Sequence, residues 1–220
     1  MNGLFVTGTD TGVGKTMVAA ACMHRFRSNR PLCYWKPVQT GIERDDDTAT
    51  VRRLGKCTAA EIFDHGIRLP QPVSPHLAAR RAGVRIDLDS LIEISRTFPA
   101  SCVPLVEGAG GLLVPLNETE TIADLVAALE LAVLVVARDA LGTINHTLLT
   151  LAVLRQRSLP IAGVIINGAP DPQIRGAIEG LGGSPIIAQV PRFSPLTPDS
   201  LGNWARIELD PAGMLLEFLQ

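Results

Sequence analysis

The chain has 220 residues, a formal net charge of −2, and a composition that is 46% apolar but only 4% aromatic. That length fits one domain, residues 1–220, with a substantial core, and the scattered arginines offer no basic surface to a nucleic-acid backbone. A membrane span is excluded too, because the longest apolar stretch, 125–137, is too short and contains Glu130.

From the N-terminus, short apolar runs alternate with longer helical patterns. The predicted order is strand Leu4–Val6, helix 15–28, strand Leu32–Trp35, helix 47–55, helix 87–97, strand Val103–Val106, helix 121–130, strand Ala132–Ala137, helix 143–157, strand Ile161–Ile166, helix 172–181, strand Ile186–Val190 and helix 210–219. Such alternation is the signature of an α/β fold: a single domain with a mainly parallel sheet flanked by helices on both faces. Leu69 to His76, with prolines at 70, 72 and 75, reads as an ordered connection and not a flexible linker. The chain enters its first apolar run without a basic segment or signal core, and Cys22, Cys33, Cys57 and Cys102 have neither paired nor metal-like spacing. A cytoplasmic protein with reduced thiols is expected.

Between the first strand and the first helix stands Gly8-Thr9-Asp10-Thr11-Gly12-Val13-Gly14-Lys15-Thr16. A glycine-rich turn in that position lets backbone N–H groups converge on phosphate oxygens at a helix N-terminus, so a P-loop NTPase-like fold is expected. Lys15 would reach the terminal phosphates and Thr16 would ligate Mg²⁺. The strict spacing wants a glycine where Thr9 stands, which makes this a variant loop. The bland alternative is a turn capped by Thr11 that binds nothing.

Open parallel sheets place ligands outside the carboxyl ends of their strands. Here those ends carry Lys36-Pro37, Glu107-Gly108, Arg138, Asn167 and Pro191 in addition to the loop. Glu107 closes an apolar strand with an acid that could bind Mg²⁺ beside Thr16, or cap a turn. Gly108-Ala109-Gly110-Gly111 permits close approach to an anion, or forms a tight turn. Lys36 would offset charge when a phosphoryl group passes to another anion, and Thr40 could donate a hydroxyl to that anion. Of Asp45, Asp46 and Asp47, one caps the helix that follows and another is a candidate Mg²⁺ ligand; Asp47 is favoured because it sits at the helix start, with Asp46 as its rival. Asn167 suits the edge of adenine, or the capping of a loop. Thr143 and Asn145 read as cap residues of their helix, and the four histidines lack metal-binding spacing.

Together with Pro72-Val73-Ser74-Pro75-His76, the run from Glu107 to Pro115 and Leu141-Gly142-Thr143-Ile144-Asn145-His146, these segments resemble the dethiobiotin synthetase family, in the family's order, to about Pro191. The glycine spacing of the loop is the one that family uses. The resemblance implies an ATP- and Mg²⁺-dependent ring closure of 7,8-diaminononanoate with CO₂ or bicarbonate, through a carbamate and its mixed anhydride with phosphate. It further implies that Thr11, Gly12, Val13, Gly14, Lys15 and Thr16, with Asp47, Glu107, Gly108, Gly110, Asn167 and Pro191, bind Mg·ATP. Thr16, Asp47 and Glu107 would surround the metal. Lys36, Lys15 and Thr11 would act in catalysis, and Thr40, Gly110, Gly111, Gly142 and Asn145 would hold the organic substrate. Gly142 to Asn145 would reach it from a neighbouring subunit, so a homodimer is the expected unit. Two rivals share the loop. The amidation domain of cobyrinate-type synthetases expects an attached glutaminase domain, and partition or positioning ATPases carry an additional lysine early in the loop, where Asp10 and Thr11 stand here.

Overall fold

The computed structural model describes residues 2–220. Along the chain lie β1 (Leu4–Gly8), α1 (Lys15–Phe26), β2 (Leu32–Trp35), β3 (Val38–Thr40), α2 (Asp47–Leu54), β4 (Ile62–Phe63), β5 (Ile67–Leu69), α3 (Pro75–Arg81), α4 (Leu88–Ser95), β6 (Val103–Gly111), α5 (Ile122–Leu129), β7 (Ala132–Arg138), α6 (Thr143–Gln156), β8 (Ile161–Asn167), α7 (Pro172–Gly182), β9 (Ile186–Val190) and α8 (Pro198–Glu208). A seven-stranded sheet has the order β4-β2-β6-β1-β7-β8-β9, and its neighbours pair in parallel throughout. A short parallel pair, β3 and β5, stands apart from it.

The apolar runs are continuous because both faces of the sheet are covered. Side-chain alternation sends Val133, Val135 and Ala137 of β7 into one core and Leu134 and Val136 into the other. The first core also takes Leu91 of α4, Val126 of α5, Leu151 of α6 and Ile178 of α7. The second takes Val18 of α1, Val51 of α2 and Leu201 of α8. The result is a three-layer α/β sandwich with β1 at its centre, and the chain leaves β1 at the edge where the phosphate-binding sequence begins.

All six expected strands are present, and six of the seven expected helices agree to within about two residues. The exception is 210–219. Pro211 and Gly213 prevent an α-helix there; the buried Asp210 carboxylate instead accepts the Met214 and Leu215 N–H groups and starts a 3₁₀ turn over Met214–Leu219. The strand expected to end near Glu107 runs on to Gly111, so the glycines extend a strand and do not form a tight turn. A Cβ on Gly108 would lie 2.9 Å from the Phe5 ring, which explains one glycine in that run by packing alone. Unanticipated elements are β3, β4, β5, α3 and α8. In α3, Pro75 occupies the first turn, so the proline-rich connection already contains a helix start.

Candidate active site

Residues 9–14 join β1 to α1. The Thr9 N–H bonds the Val136 carbonyl, tying the start of the loop to β7. Gly14 is the N-cap of α1 in the left-handed region, φ 104°, and among the described residues no side chain caps the helix. The N–H groups of its first turn are therefore open to a ligand, and the helix dipole adds positive potential. Thr11 does not cap; its N–H instead bonds the Asp10 carboxylate at 2.7 Å. Asn167 reaches across from the end of β8 and donates to the Val13 carbonyl at 3.0 Å. A Cβ on Gly14 would sit 2.4 Å from that amide nitrogen, so only glycine fits beneath it. Lys15 is buried, with Nζ 3.3 Å from the Asp10 carbonyl. Burial, and then the like charge of Lys36, push its pKa down to about 8 against the opposing pull of nearby carboxylates.

Beside the loop, α1, α2, β6 and the segment after β2 bring four groups together. Lys36 Nζ lies 2.6 Å from Asp47 Oδ2, 2.8 Å from Glu107 Oε1 and 3.0 Å from the Gly108 carbonyl, which occupies all three of its N–H donors. Thr16 Oγ1 lies 2.8 Å from Asp47 Oδ1 and 3.0 Å from Glu107 Oε1, with one proton to offer between them. Burial alone would lower the Lys36 pKa, but the Glu107 and Asp47 carboxylates outweigh it and raise it. Burial alone would likewise raise the Asp47 pKa, and the Lys36 ammonium instead holds it below the usual carboxylate value. Asp46 caps α2, accepting from the Ala49 N–H at 2.9 Å, which leaves Asp47 free to face the cluster.

These groups line a cleft of about 620 Å³ that takes in Thr11, Gly12, Gly14, Lys15, Thr16, Lys36, Thr40, Asp47, Glu107 and Gly110. Val13 is buried beneath the loop, Gly108 contributes its carbonyl to Lys36, and Gly111 pairs with Gly8 alongside the loop. Asn167 and Pro191 stand at the same sheet edge, where β8 and β9 end side by side. Gly142 and Asn145 do not join this cleft. They start α6, where the cap residue is Gly142 and not Thr143 or Asn145; the Thr143 hydroxyl is instead buried, with no hydrogen-bond partner among the described residues. The sequence reading missed Gln39, which accepts from the Asp47 N–H at 3.3 Å, and Tyr34, whose hydroxyl donates to Glu107 Oε2 at 2.8 Å. Tyr34 precedes Lys36 by one strand period, but its hydroxyl gains this partner only through the pairing of β2 with β6.

The donors around Thr16 suit a hard cation. Among the described residues no group of three or more His, Cys, Asp or Glu side chains could hold a metal, so a cation here would rest on two carboxylates, a hydroxyl and nucleotide phosphates. That sparse oxygen set is the kind Mg²⁺ uses.

A phosphate loop after the central strand, an acid on the strand paired beside it and a parallel sheet covered on both faces define a P-loop nucleotide-binding protein. The AAA domain family matches residues 2–200. The ATP-dependent dethiobiotin synthetase BioD of Paramagnetospirillum magneticum is 48% identical over 92% of this chain and 94% of its own length. That of Agrobacterium fabrum is 44% identical over 89% of each. Among solved structures, a ParA family ATPase from Chlorobium tepidum superposes with a TM-score of 0.57 at 14% identity, covering 100% of this chain and 97% of that one, a likeness of fold alone. The chain belongs to the ATP-dependent dethiobiotin synthetase family, within the AAA domain family.

Proposed function

We propose that this chain closes the cyclic urea of dethiobiotin from 7,8-diaminononanoate and CO₂, converting ATP to ADP and phosphate. The observation that carries the reading is the convergence of Lys15, Thr16, Lys36, Asp47 and Glu107 in one cleft beside an uncapped helix N-terminus. One amine of the substrate takes up CO₂ as a carbamate, whose oxygen attacks the γ-phosphorus as ADP leaves. The second amine then attacks the carbonyl carbon, and phosphate departs as the ring closes.

The loop N–H groups and Lys15 hold the nucleotide phosphates, and Thr11, Thr40, Gly110 and Gly111 hold the carbamate. Thr16, Asp47 and Glu107 would hold Mg²⁺, which would supply positive charge against the nucleotide phosphates and the transferring group. Lys36 would reach that group by giving up one of its two carboxylates. Catalysis is therefore alignment and charge stabilisation, without a nucleophilic side chain. Asn167 and Pro191 border the adenine. Gly142 and Asn145 belong to the site of a second subunit, giving a homodimer, and its address is the cytoplasm, in keeping with four free thiols.

The test is phosphate release from Mg·ATP and bicarbonate, with and without the diamine, while the organic product is followed by mass spectrometry. Release that depends on diamine and matches cyclic urea one for one is expected. Diamine-independent release with no new product would instead favour a nucleotide-controlled switch of the partition type.

A further inference from the structure

The geometry assigns Tyr34 a positioning role: its hydroxyl fixes the orientation of Glu107 and thereby sets the affinity of the site for the Mg²⁺–nucleotide complex. This inference rests on the reading of Thr16, Asp47 and Glu107 as the metal's ligands. Leu32 and Tyr34 of β2 face the core that contains α1, whereas Cys33 and Trp35 face the other. In the β2–β6 register Tyr34 lies opposite Leu105, two residues before Glu107. The phenol therefore points forward along the sheet and reaches Glu107 Oε2 from behind the cleft.

Glu107 is fully buried, and its two oxygens have different duties. Oε1 receives Lys36 and Thr16 on the cleft side. Among the described residues, Oε2 has Tyr34 as its hydrogen-bond partner. Rotation about the last bond of a glutamate side chain is soft, so without a donor at the rear the carboxylate could turn either oxygen toward the cleft. A cation at the position of the phenol would lock it equally well but would neutralise Glu107 and weaken its pull on a metal. A phenol locks it without charge. A phenol keeps its proton at neutral pH, so it remains a donor.

Tyr34 is the single tyrosine of the chain, so biosynthetic 3-fluorotyrosine labels this position and no other. Titrating Mg²⁺ into the labelled protein with saturating ADP should move the ¹⁹F resonance, and the same titration of labelled Glu107→Gln should not. Calorimetry of Mg·ADP should show affinity about tenfold weaker in Tyr34→Phe, with lost turnover recovered by excess Mg²⁺, and the double variant should bind no more weakly than Glu107→Gln alone. A tyrosine that merely packs would give Tyr34→Phe the wild-type affinity, or a penalty of the same size in both backgrounds; either result overturns the proposal. Should Tyr34→Phe fail to fold, an unmoved ¹⁹F resonance in the wild type that still binds Mg·ADP tightly would overturn it alone. Wild-type ADP affinity indifferent to Mg²⁺ would overturn the metal reading itself, and Tyr34's role with it.

Discussion

Lys36, to which the proposed chemistry assigns a charge-stabilising role, is also the counter-ion of a fully buried glutamate. Replacing it with methionine keeps most of its volume and leaves the Glu107 charge uncompensated, which should cost about 3 kcal/mol in urea unfolding. Turnover should fall by at least about a hundredfold, as when one preorganised charge-stabilising donor is lost. A Lys36→Met protein that is as stable as the wild type and turns over normally would remove the lysine from both roles. The Asp47 pKa lies below its ordinary 3.8, so the stability of this pair is present above that pH and is lost as pH falls through the depressed value. At the other end, the raised Lys36 pKa preserves it until pH climbs past 10.5 and through the elevated value. Lys15 behaves oppositely. With its folded-state pKa down at about 8 against an ordinary 10.5, the unfolded chain binds more protons between those values, and the ligand-free protein gains stability as pH rises across that window. Phosphate oxygens should restore its charge. Nucleotide binding should therefore take up about half a proton at pH 8 and almost none at pH 6.5, read from binding heats in buffers of different ionisation enthalpy. Equal uptake at both values would mean that Lys15 is fully charged before the nucleotide arrives.

The helices divide labour between neighbouring residues, and α2 shows it most sharply. Asp46 supplies the cap and Asp47, the next residue, turns to Thr16 and Lys36. Asp46→Ala should lower stability by about 1 kcal/mol and leave the Mg²⁺ dependence of turnover unchanged, whereas Asp47→Asn should raise the Mg²⁺ requirement. The reverse pattern in the two titrations would make Asp46 the metal ligand. Asp47, Lys36 and Glu107 were legible in the sequence because each ends an apolar run or begins a helix, and a parallel sheet gathers those ends at one edge. What escaped was set by tertiary pairing. The strands β3 and β5 are three residues each, carry Gln39 and Arg68 at their centres, and become strands only by meeting one another. Helix α8 has a full capping box at Thr197 with Pro198 behind it, yet buries only Leu201, Gly202 and Ala205, too thin an apolar stripe for periodicity to reveal. Tyr34 read as one more apolar core residue, since its hydroxyl acquires a partner only when β2 lies beside β6.

At the scale of the whole molecule, the chain gathers Lys15, Thr16, Lys36, Asp47 and Glu107 in one cleft by itself but leaves two of the expected substrate residues elsewhere. Gly142 and Asn145 lie at the start of α6, outside the cleft of their own chain. Asn145 is exposed, and so are the apolar side chains of Leu141 and Leu149 beside it. If these residues serve the substrate, they serve the cleft of a second copy, and a symmetric pair would then hold two sites, each built from both chains. That arrangement has a quantitative signature. Lys36→Met inactivates a site through the subunit that owns the cleft, and Asn145→Asp, which sets a negative charge against the substrate carboxylate, inactivates it through the partner. Each variant alone should be nearly inactive in urea formation, while Asn145→Asp should still bind ADP as the wild type does. Unfolded together in equal amounts and refolded, half of the dimers should be mixed, and each mixed dimer should hold one intact site and one doubly damaged one. The mixture should recover about a quarter of the wild-type rate. Recovery near that level, with a dimer seen by sedimentation, requires shared sites; no recovery from a freely exchanging mixture would mean that every chain completes its own site, and the role of α6 would have to be sought elsewhere.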